Sequence, residues 1–137
     1  MPKDTKIFDS KSQTHVLGCV CNIEEERLKD KNEFYTLLCQ DLCSALGLNL
    51  LKCQSHCFNP CGFTLIALLS ESHLSFHTWP EKKVMFFDLF TCADVNQRLL
   101  SSLILGRFME EGQSQVSVTM ESFRRKIGKN IKKIPSF

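Results

Sequence analysis

Three strand-like segments follow closely on one another at residues 63–70, 74–79 and 84–90. Turn-forming residues at 59–62 precede the first segment, and residues 80–83 join the last two. Connections as short as these join antiparallel neighbours, so the segments predict an antiparallel sheet. The first segment is apolar on both faces, which predicts a central strand.

Two amphipathic segments flank these strands and predict helices. Residues 34–46 carry apolar side chains at helical spacing, with N-cap candidates at 30–32 and Gly47 suited to the C′ position. A second apolar stripe of helical spacing covers residues 95–104.

The remaining segments complete the predicted order of elements. Residues 16–23 predict a first strand, 48–56 are a candidate strand, and 115–120 predict a last strand. The order is then strand, helix, three strands, helix and strand, with the candidate strand as an addition. This order predicts an α+β fold, a two-layer α/β sandwich with two helices on one face of a mainly antiparallel sheet. We expect one domain over residues 1–137, with an open sheet face that a partner subunit would cover.

Composition narrows the functional classes. Hydrophobic residues make up 43% and charged residues 23%, as in a globular protein, and a net charge of +2 gives no argument for a nucleic-acid partner. Residues 1–13 lack the apolar core of a signal peptide, and no apolar run is long enough for a membrane span, so a cytoplasmic protein is expected. The basic residues after Phe123 predict a solvated, partly disordered tail or a weak anion-binding arm.

Strand alternation predicts which side chains share a face. Four side chains of the segment 73–79 project to one side: His73, Ser75, His77 and Trp79. Cys92 shares parity with Asp88, and Thr64 shares a side with Ser72 if the chain stays extended between them. Hydroxyl, imidazole and thiol groups on one face suit nucleophilic and acid–base chemistry, although open sheet faces are commonly polar without a catalytic role.

Eight cysteines are many for this length. Without an export signal a disulfide framework is not expected, and most of them are interpreted as small buried hydrophobes. Spacing offers two candidate sets of metal ligands: residues 53, 56, 57 and 61, and residues 73, 77 and 92. Positions four apart in a strand lie about 13 Å apart, too far for one ion to bridge, so no metal site is predicted.

The run Glu-Ser-His-Leu-Ser-Phe-His-Thr-Trp-Pro-Glu at residues 71–81 is the most specific motif. It closely resembles the processing-site signature of bacterial-type S-adenosylmethionine decarboxylase proenzymes. The likeness continues through Phe-Asp-Leu-Phe-Thr-Cys at 87–92, and residues 58–62 resemble the family's Phe-x-Pro-x-Gly turn. The clear match covers about residues 56–92.

The resemblance implies that the chain cuts itself. Ser72 is implied to attack the carbonyl of Glu71, and elimination then releases residues 1–71 as a β chain. Residues 72–137 remain as an α chain that begins with a covalent pyruvoyl cofactor derived from Ser72. That cofactor is implied to decarboxylate S-adenosylmethionine, which yields the aminopropyl donor for spermidine synthesis.

The resemblance also implies roles for further residues. His77 is the base in the elimination, Thr64 stands where a serine usually assists processing, and Cys92 is the acid that protonates the substrate carbon. Phe58 is implied to stack on adenine and Glu81 to bind the ribose hydroxyls. The family further implies a homodimer of processed protomers with active sites at or near the interface.

Some residues depart from the family pattern, and alternatives stay open. Thr64 replaces the usual serine, Ala93 replaces a glycine after Cys92, and residues 13–15 match the family's Gly-x-His only in part. One alternative is the same scaffold acting on arginine or ornithine. Another is an unprocessed, non-enzymatic module that binds a partner or a metal.

Overall fold

Seven strands form one sheet in the computed structural model, which describes residues 13–24 and 32–135. The strands are β1 (Gln13–Cys21), β2 (Leu50–Cys57), β3 (Phe63–Leu69), β4 (Ser72–Trp79), β5 (Val84–Thr91), β6 (Ser117–Arg125) and β7 (Lys132–Ile134). Their spatial order is β2-β3-β4-β5-β1-β6-β7, and every neighbouring pair is antiparallel. β1 therefore lies between β5 and β6.

Two helices cover one face of this sheet, α1 (Asn32–Ala45) and α2 (Gln97–Glu110). Gly47 follows α1 with φ at 69°, which fits the predicted C′ position, and the Asn96 side chain caps α2. The N-cap candidates at residues 30 and 31 lie outside the described residues. The predicted α+β sandwich is confirmed, with the candidate strand present as β2. Neither helix, nor any other among the described residues, is long and apolar enough to cross a membrane.

The core lies between the helices and the sheet. Tyr35 of α1 stacks on Phe63 of β3, with ring centroids 5.6 Å apart, and meets Phe108 of α2 at 6.5 Å. Burial raises the pKa of Tyr35 well above its ordinary value. On β4 the alternation is as predicted, since Leu74 and Phe76 are buried against the helices.

Gly18 on β1 leaves room for the ring of Phe87 in this core. A Cβ at position 18 would lie 2.0 Å from Cζ of Phe87, which is buried. We expect Gly18→Ala to lower the free energy of unfolding by about 1–3 kcal/mol, because the ring must leave its rotamer or the strands must shift. Urea denaturation measures the change.

Gly106 of α2 has open space around it, so Gly106→Ala should instead raise the free energy of unfolding by about 0.5–1 kcal/mol. Equal effects of the two substitutions would contradict this account.

Within the described residues, no helix covers the opposite face of the sheet, which we call the open face. Several large apolar side chains are about half exposed there: Leu17, Ile66, Leu68 and Phe86. β3 lies inside the sheet, between β2 and β4, as predicted for a central strand. Only one of its faces is buried by the part of the chain that the structure describes, and these residues leave its second apolar face uncovered.

The C-terminal segment is more regular than the sequence predicted. β6 continues to Arg125, beyond the predicted end at residue 120, and β7 pairs with it through residues 132–134. The expected partial disorder is therefore wrong for residues 123–125 and 132–134, whereas the expected solvent exposure holds for most of them. In a strand, successive basic side chains point to opposite sides, which separates their charges. Lys133 also forms an ion pair with Glu121, with Nζ and Oε1 3.1 Å apart.

Candidate active site

The turn between β3 and β4 contains the bond at which the sequence predicts cleavage. Leu69 pairs with Ser72, so Ser70 and Glu71 form a two-residue hairpin turn. Glu71 has φ at 57°, a left-handed conformation that costs a residue with a side chain about 1–2 kcal/mol. The Asn49 side chain donates a hydrogen bond to Ser70 Oγ at 2.8 Å and thereby anchors the turn.

Cys92, just after β5, reaches this turn. Its thiol donates to the carbonyl oxygen of Glu71 at a distance of 3.5 Å, and this carbonyl belongs to the bond that precedes Ser72. Gln13 at the start of β1 donates from Nε2 to the same sulfur at 3.7 Å. The structure therefore brings Cys92 to the Glu71–Ser72 bond although the two positions are far apart in sequence.

Thr64 and His77 form a second pair on the open face. They are partners in the β3–β4 register, and Thr64 Oγ1 lies 3.0 Å from His77 Nδ1. His77 is five residues beyond Ser72 on the same strand, which is roughly 16 Å at about 3.3 Å per residue. The Thr64–His77 pair therefore does not reach Ser72 of its own chain.

The register corrects one prediction about this region. Thr64 and Ser72 were expected to project to the same side, on the condition that the chain stays extended between them. The turn at Ser70 and Glu71 breaks that condition and resets the alternation. Thr64 lies on the open face, whereas Ser72 is paired with Leu69, which is buried against the helices.

Phe58 and Glu81 lie near the Thr64–His77 pair, at the end of the hairpin away from Ser72. Phe58 is 52% exposed, and its backbone N–H donates to the carbonyl of Gly62 at 2.9 Å, closing the turn before β3. Glu81 is exposed in the 3-10 turn Pro80–Lys82 that follows β4. Its carboxylate accepts from the Cys61 thiol at 3.6 Å, which links it to the turn that carries Phe58.

The residues singled out from the sequence thus form two groups at opposite ends of one hairpin. The first, the cleavage-turn group, consists of Glu71, Ser72 and Cys92. The second, the His77 group, consists of the following four residues: Phe58, Thr64, His77 and Glu81. Within one chain, Thr64 and His77, which are predicted to assist processing, therefore lie apart from the bond at which cleavage is predicted.

Sequence reasoning missed a third cluster, which lies on the open face beside the cleavage turn. His15 Nε2 is in direct contact with Asp88 Oδ1. The His73 ring stacks on Phe90 with centroids 5.6 Å apart, and the Arg125 guanidinium lies 4.6 Å from the centre of the same ring. The cluster depends on β1 lying beside β5, a pairing that no local sequence pattern reports.

The cysteines do not share one environment. Cys39 and Cys43 are buried on α1, where a hydrogen bond with Cys43, together with burial, raises the pKa of the Cys39 thiol. Cys19 Sγ lies 3.2 Å from Cys21 Sγ, and burial raises the pKa of Cys19 to about 11. Cys53 is exposed, so the interpretation as small buried hydrophobes holds for only some of them. Among the described residues, which include all eight cysteines, there is no disulfide.

The chain is similar in sequence to a known protein family. A sequence model described as S-adenosylmethionine decarboxylase matches residues 14–125. The chain belongs to the S-adenosylmethionine decarboxylase family. The matched region contains both the cleavage-turn group and the His77 group, as well as strands β2 to β6 and β1 from its second residue.

Individual members of the family show similarity over shorter stretches. An S-adenosylmethionine decarboxylase proenzyme from Methanococcus maripaludis (strain C5) is 38% identical over 80 residues, or 58% of this chain and 65% of that protein. One from Prochlorococcus marinus (strain MIT 9313) is 54% identical over 48 residues, or 35% of this chain and 38% of that protein. These alignments span less than two thirds of the relatives' length.

A solved structure from the family shares the fold. The crystal structure of the adenosylmethionine decarboxylase from Aquifex aeolicus VF5 superposes with a TM-score of 0.61 at 19% identity. The match covers 82% of this chain and 90% of that chain. At this level of identity the likeness shows the family fold, a helix layer on an antiparallel sheet.

Proposed function

We propose that this chain is a self-processing, pyruvoyl-dependent S-adenosylmethionine decarboxylase that releases CO2 and the aminopropyl donor for spermidine synthesis. The observation that carries the proposal is the contact between Cys92 Sγ and the carbonyl oxygen of Glu71 at 3.5 Å. It puts a proton donor beside the bond that ends at Ser72, within a chain that belongs to this family. The name proenzyme, given to the similar proteins, supports a cleavage step.

In the processing step, Ser72 Oγ attacks the carbonyl carbon of Glu71, and the peptide bond becomes an ester. Loss of a proton from Cα of residue 72 then expels the Glu71 carboxylate and leaves dehydroalanine. Addition of water and loss of ammonia convert dehydroalanine into the pyruvoyl group. The left-handed conformation of Glu71 supports cleavage at this bond, because strain raises the energy of the peptide that is broken. The products are residues 1–71 and 72–137.

The residues around position 72 suit a pyruvoyl group. A ketone at this position supplies an electron sink for loss of CO2 from an amino acid. Cys92 holds a proton close to the same position and can deliver it to the substrate carbon that loses CO2. Gln13, 3.7 Å from the sulfur, orients the thiol.

We further propose that each active site is shared between two copies of the chain. The Thr64–His77 pair is roughly 16 Å from Ser72 of its own chain, so it cannot act there as a base. A second copy on the open face would bring its His77 group to the cleavage turn. The half-exposed side chains of Ile66 and Leu68 support a partner on this face. Twofold symmetry then creates two equivalent sites, each made from both chains.

The His77 group offers the chemistry that an adenosyl sulfonium needs. Phe58 presents an exposed aromatic face on which adenine can stack. A sulfonium cation is also attracted to aromatic faces, by about 0.5–2 kcal/mol. Glu81 is an exposed carboxylate that can accept hydrogen bonds from two neighbouring hydroxyls. Arginine and ornithine carry no such hydroxyls, so Glu81 favours the nucleoside substrate.

Release of CO2 from S-adenosylmethionine, arginine and ornithine, assayed side by side, tests the substrate. We expect release from S-adenosylmethionine only. Glu81→Gln is expected to raise KM for it about tenfold or more, because a hydrogen bond to a charged group contributes about 1.5–3 kcal/mol. The kcat should change less, since Glu81 is proposed to bind the ribose hydroxyls and not the carbon that loses CO2. Glu33→Gln, an exposed carboxylate on α1, is the matched control. Faster turnover of arginine or ornithine would contradict the assignment.

A further inference from the structure

The open face carries three metal-ligating side chains that the proposed decarboxylation does not use: His15 of β1, His73 of β4 and Asp88 of β5. One ligand atom from each residue lies within 4.8 Å of the other two. We propose that these three residues bind one divalent first-row transition-metal ion of the Zn²⁺ or Co²⁺ type. The inference goes beyond the proposed decarboxylase activity and does not depend on it.

The sheet itself holds the three ligands together. β4, β5 and β1 are consecutive in the sheet, and both His73 and His15 are register partners of Phe90. Asp88 lies two residues from Phe90 on β5, so its side chain projects from the same face. Ligands fixed by strand pairing, rather than by loops, are already arranged before an ion arrives.

The chemical nature of the three ligand side chains determines which class of metal ion the site would bind. Two imidazoles and one carboxylate, with positions left for water, suit zinc, iron and cobalt, whereas calcium and magnesium prefer oxygen ligands. His15 Nε2 contacts Asp88 Oδ1 directly. A bound ion would take the place of this contact. Metal–ligand distances of about 2.0–2.2 Å then require small side-chain rotations from the present spacing.

The site differs in kind from the metal sets considered from sequence spacing. Those sets took residues four apart on one strand, such as His73 and His77, which face the same way but are widely separated. Neighbouring strands are only about 4.8 Å apart, so residues on adjacent strands can share one ion. The positively charged Arg125 guanidinium is near this part of the open face, but it lies over the Phe90 ring.

Cobalt titration of untagged, metal-free protein tests the site, with visible absorption for ligand type and equilibrium dialysis with Zn²⁺ for stoichiometry. Both the wild-type protein and uncleavable Ser72→Ala are titrated, so that a failure of self-processing does not affect the result. We expect one ion per chain and bands typical of nitrogen and oxygen ligands. His15→Asn, His73→Asn and Asp88→Asn should each weaken binding at least about tenfold. His56→Asn, an exposed histidine on β2, should leave it unchanged.

Several results would overturn the proposal. An intense near-ultraviolet thiolate-to-cobalt band would place the ion on cysteines. Unchanged affinity in the three ligand variants, or no saturable binding, would remove the site. Circular dichroism of each metal-free variant checks its fold. If His15→Asn does not fold, His73→Asn still gives a decision, because His73 is exposed on the sheet surface.

Discussion

Ser72→Ala is expected to leave the protein as one intact chain, whereas the wild-type protein should separate under denaturing conditions into residues 1–71 and 72–137. The variant lacks the oxygen that is proposed to attack the Glu71 carbonyl, so neither the ester nor the pyruvoyl group should form. Decarboxylase activity should therefore fall to background. Denaturing mass spectrometry measures the fragments, and hydroxylamine labels the ketone on the second one.

Ser75→Ala is the matched control for this experiment. Ser75 lies on the same strand as Ser72 but projects from the open face, in register with Ile66 and Asp88. Its variant should be cleaved and labelled as the wild type is. A wild-type chain that stays intact and unlabelled would argue against the decarboxylase and for the unprocessed binding module.

Two inactive variants are expected to restore activity when they are co-expressed. Ser72→Ala damages only the cleavage-turn group, and His77→Ala damages only the His77 group. In a mixed dimer, the intact Ser72 of one chain meets the intact His77 of the other, so one of the two sites is complete. Random pairing makes half of the dimers mixed, which gives roughly a quarter of the wild-type activity. Decarboxylation assays of the co-purified proteins measure it.

Co-expression of Ser72→Ala with Cys92→Ala provides the contrast. Both substitutions damage the cleavage-turn group, so each site of a mixed dimer carries one defect, and activity should stay at background. Recovery with this pair, or none with Ser72→Ala and His77→Ala, would show that the two groups are not shared between chains as proposed.

The sequence predicted the elements well because their signals are local. Apolar alternation and turn residues placed β3, β4 and β5 to within two residues. Helical spacing and Gly47 placed α1. The position of β1 was beyond such reasoning, because it depends on pairing with β5, which brings His15 against Asp88 across 73 positions.

The candidate site shows the same contrast between what local sequence signals predict and what depends on strand pairing. The motif identified the residues, but closeness in sequence was a poor guide to which of them lie together in the structure. Thr64 precedes Ser72 by one short hairpin and belongs to the other group, because a two-residue turn reversed both chain direction and parity. Cys92 is 21 positions from Glu71 and contacts its carbonyl, because β5 runs beside β4 and ends near the turn.

The position of β1 between β5 and β6 has a consequence for the protein after cleavage. β1 would belong to the first fragment, while both of its neighbours would belong to the second, so the two polypeptides are interleaved in one sheet. Unfolding of the processed protein is then also a dissociation, and its midpoint should rise with protein concentration. Refolding becomes second order in the fragments, whereas an uncleaved chain refolds by a first-order process. The proposed processing would thus replace a fold that can re-form at any dilution by one whose re-formation depends on fragment concentration.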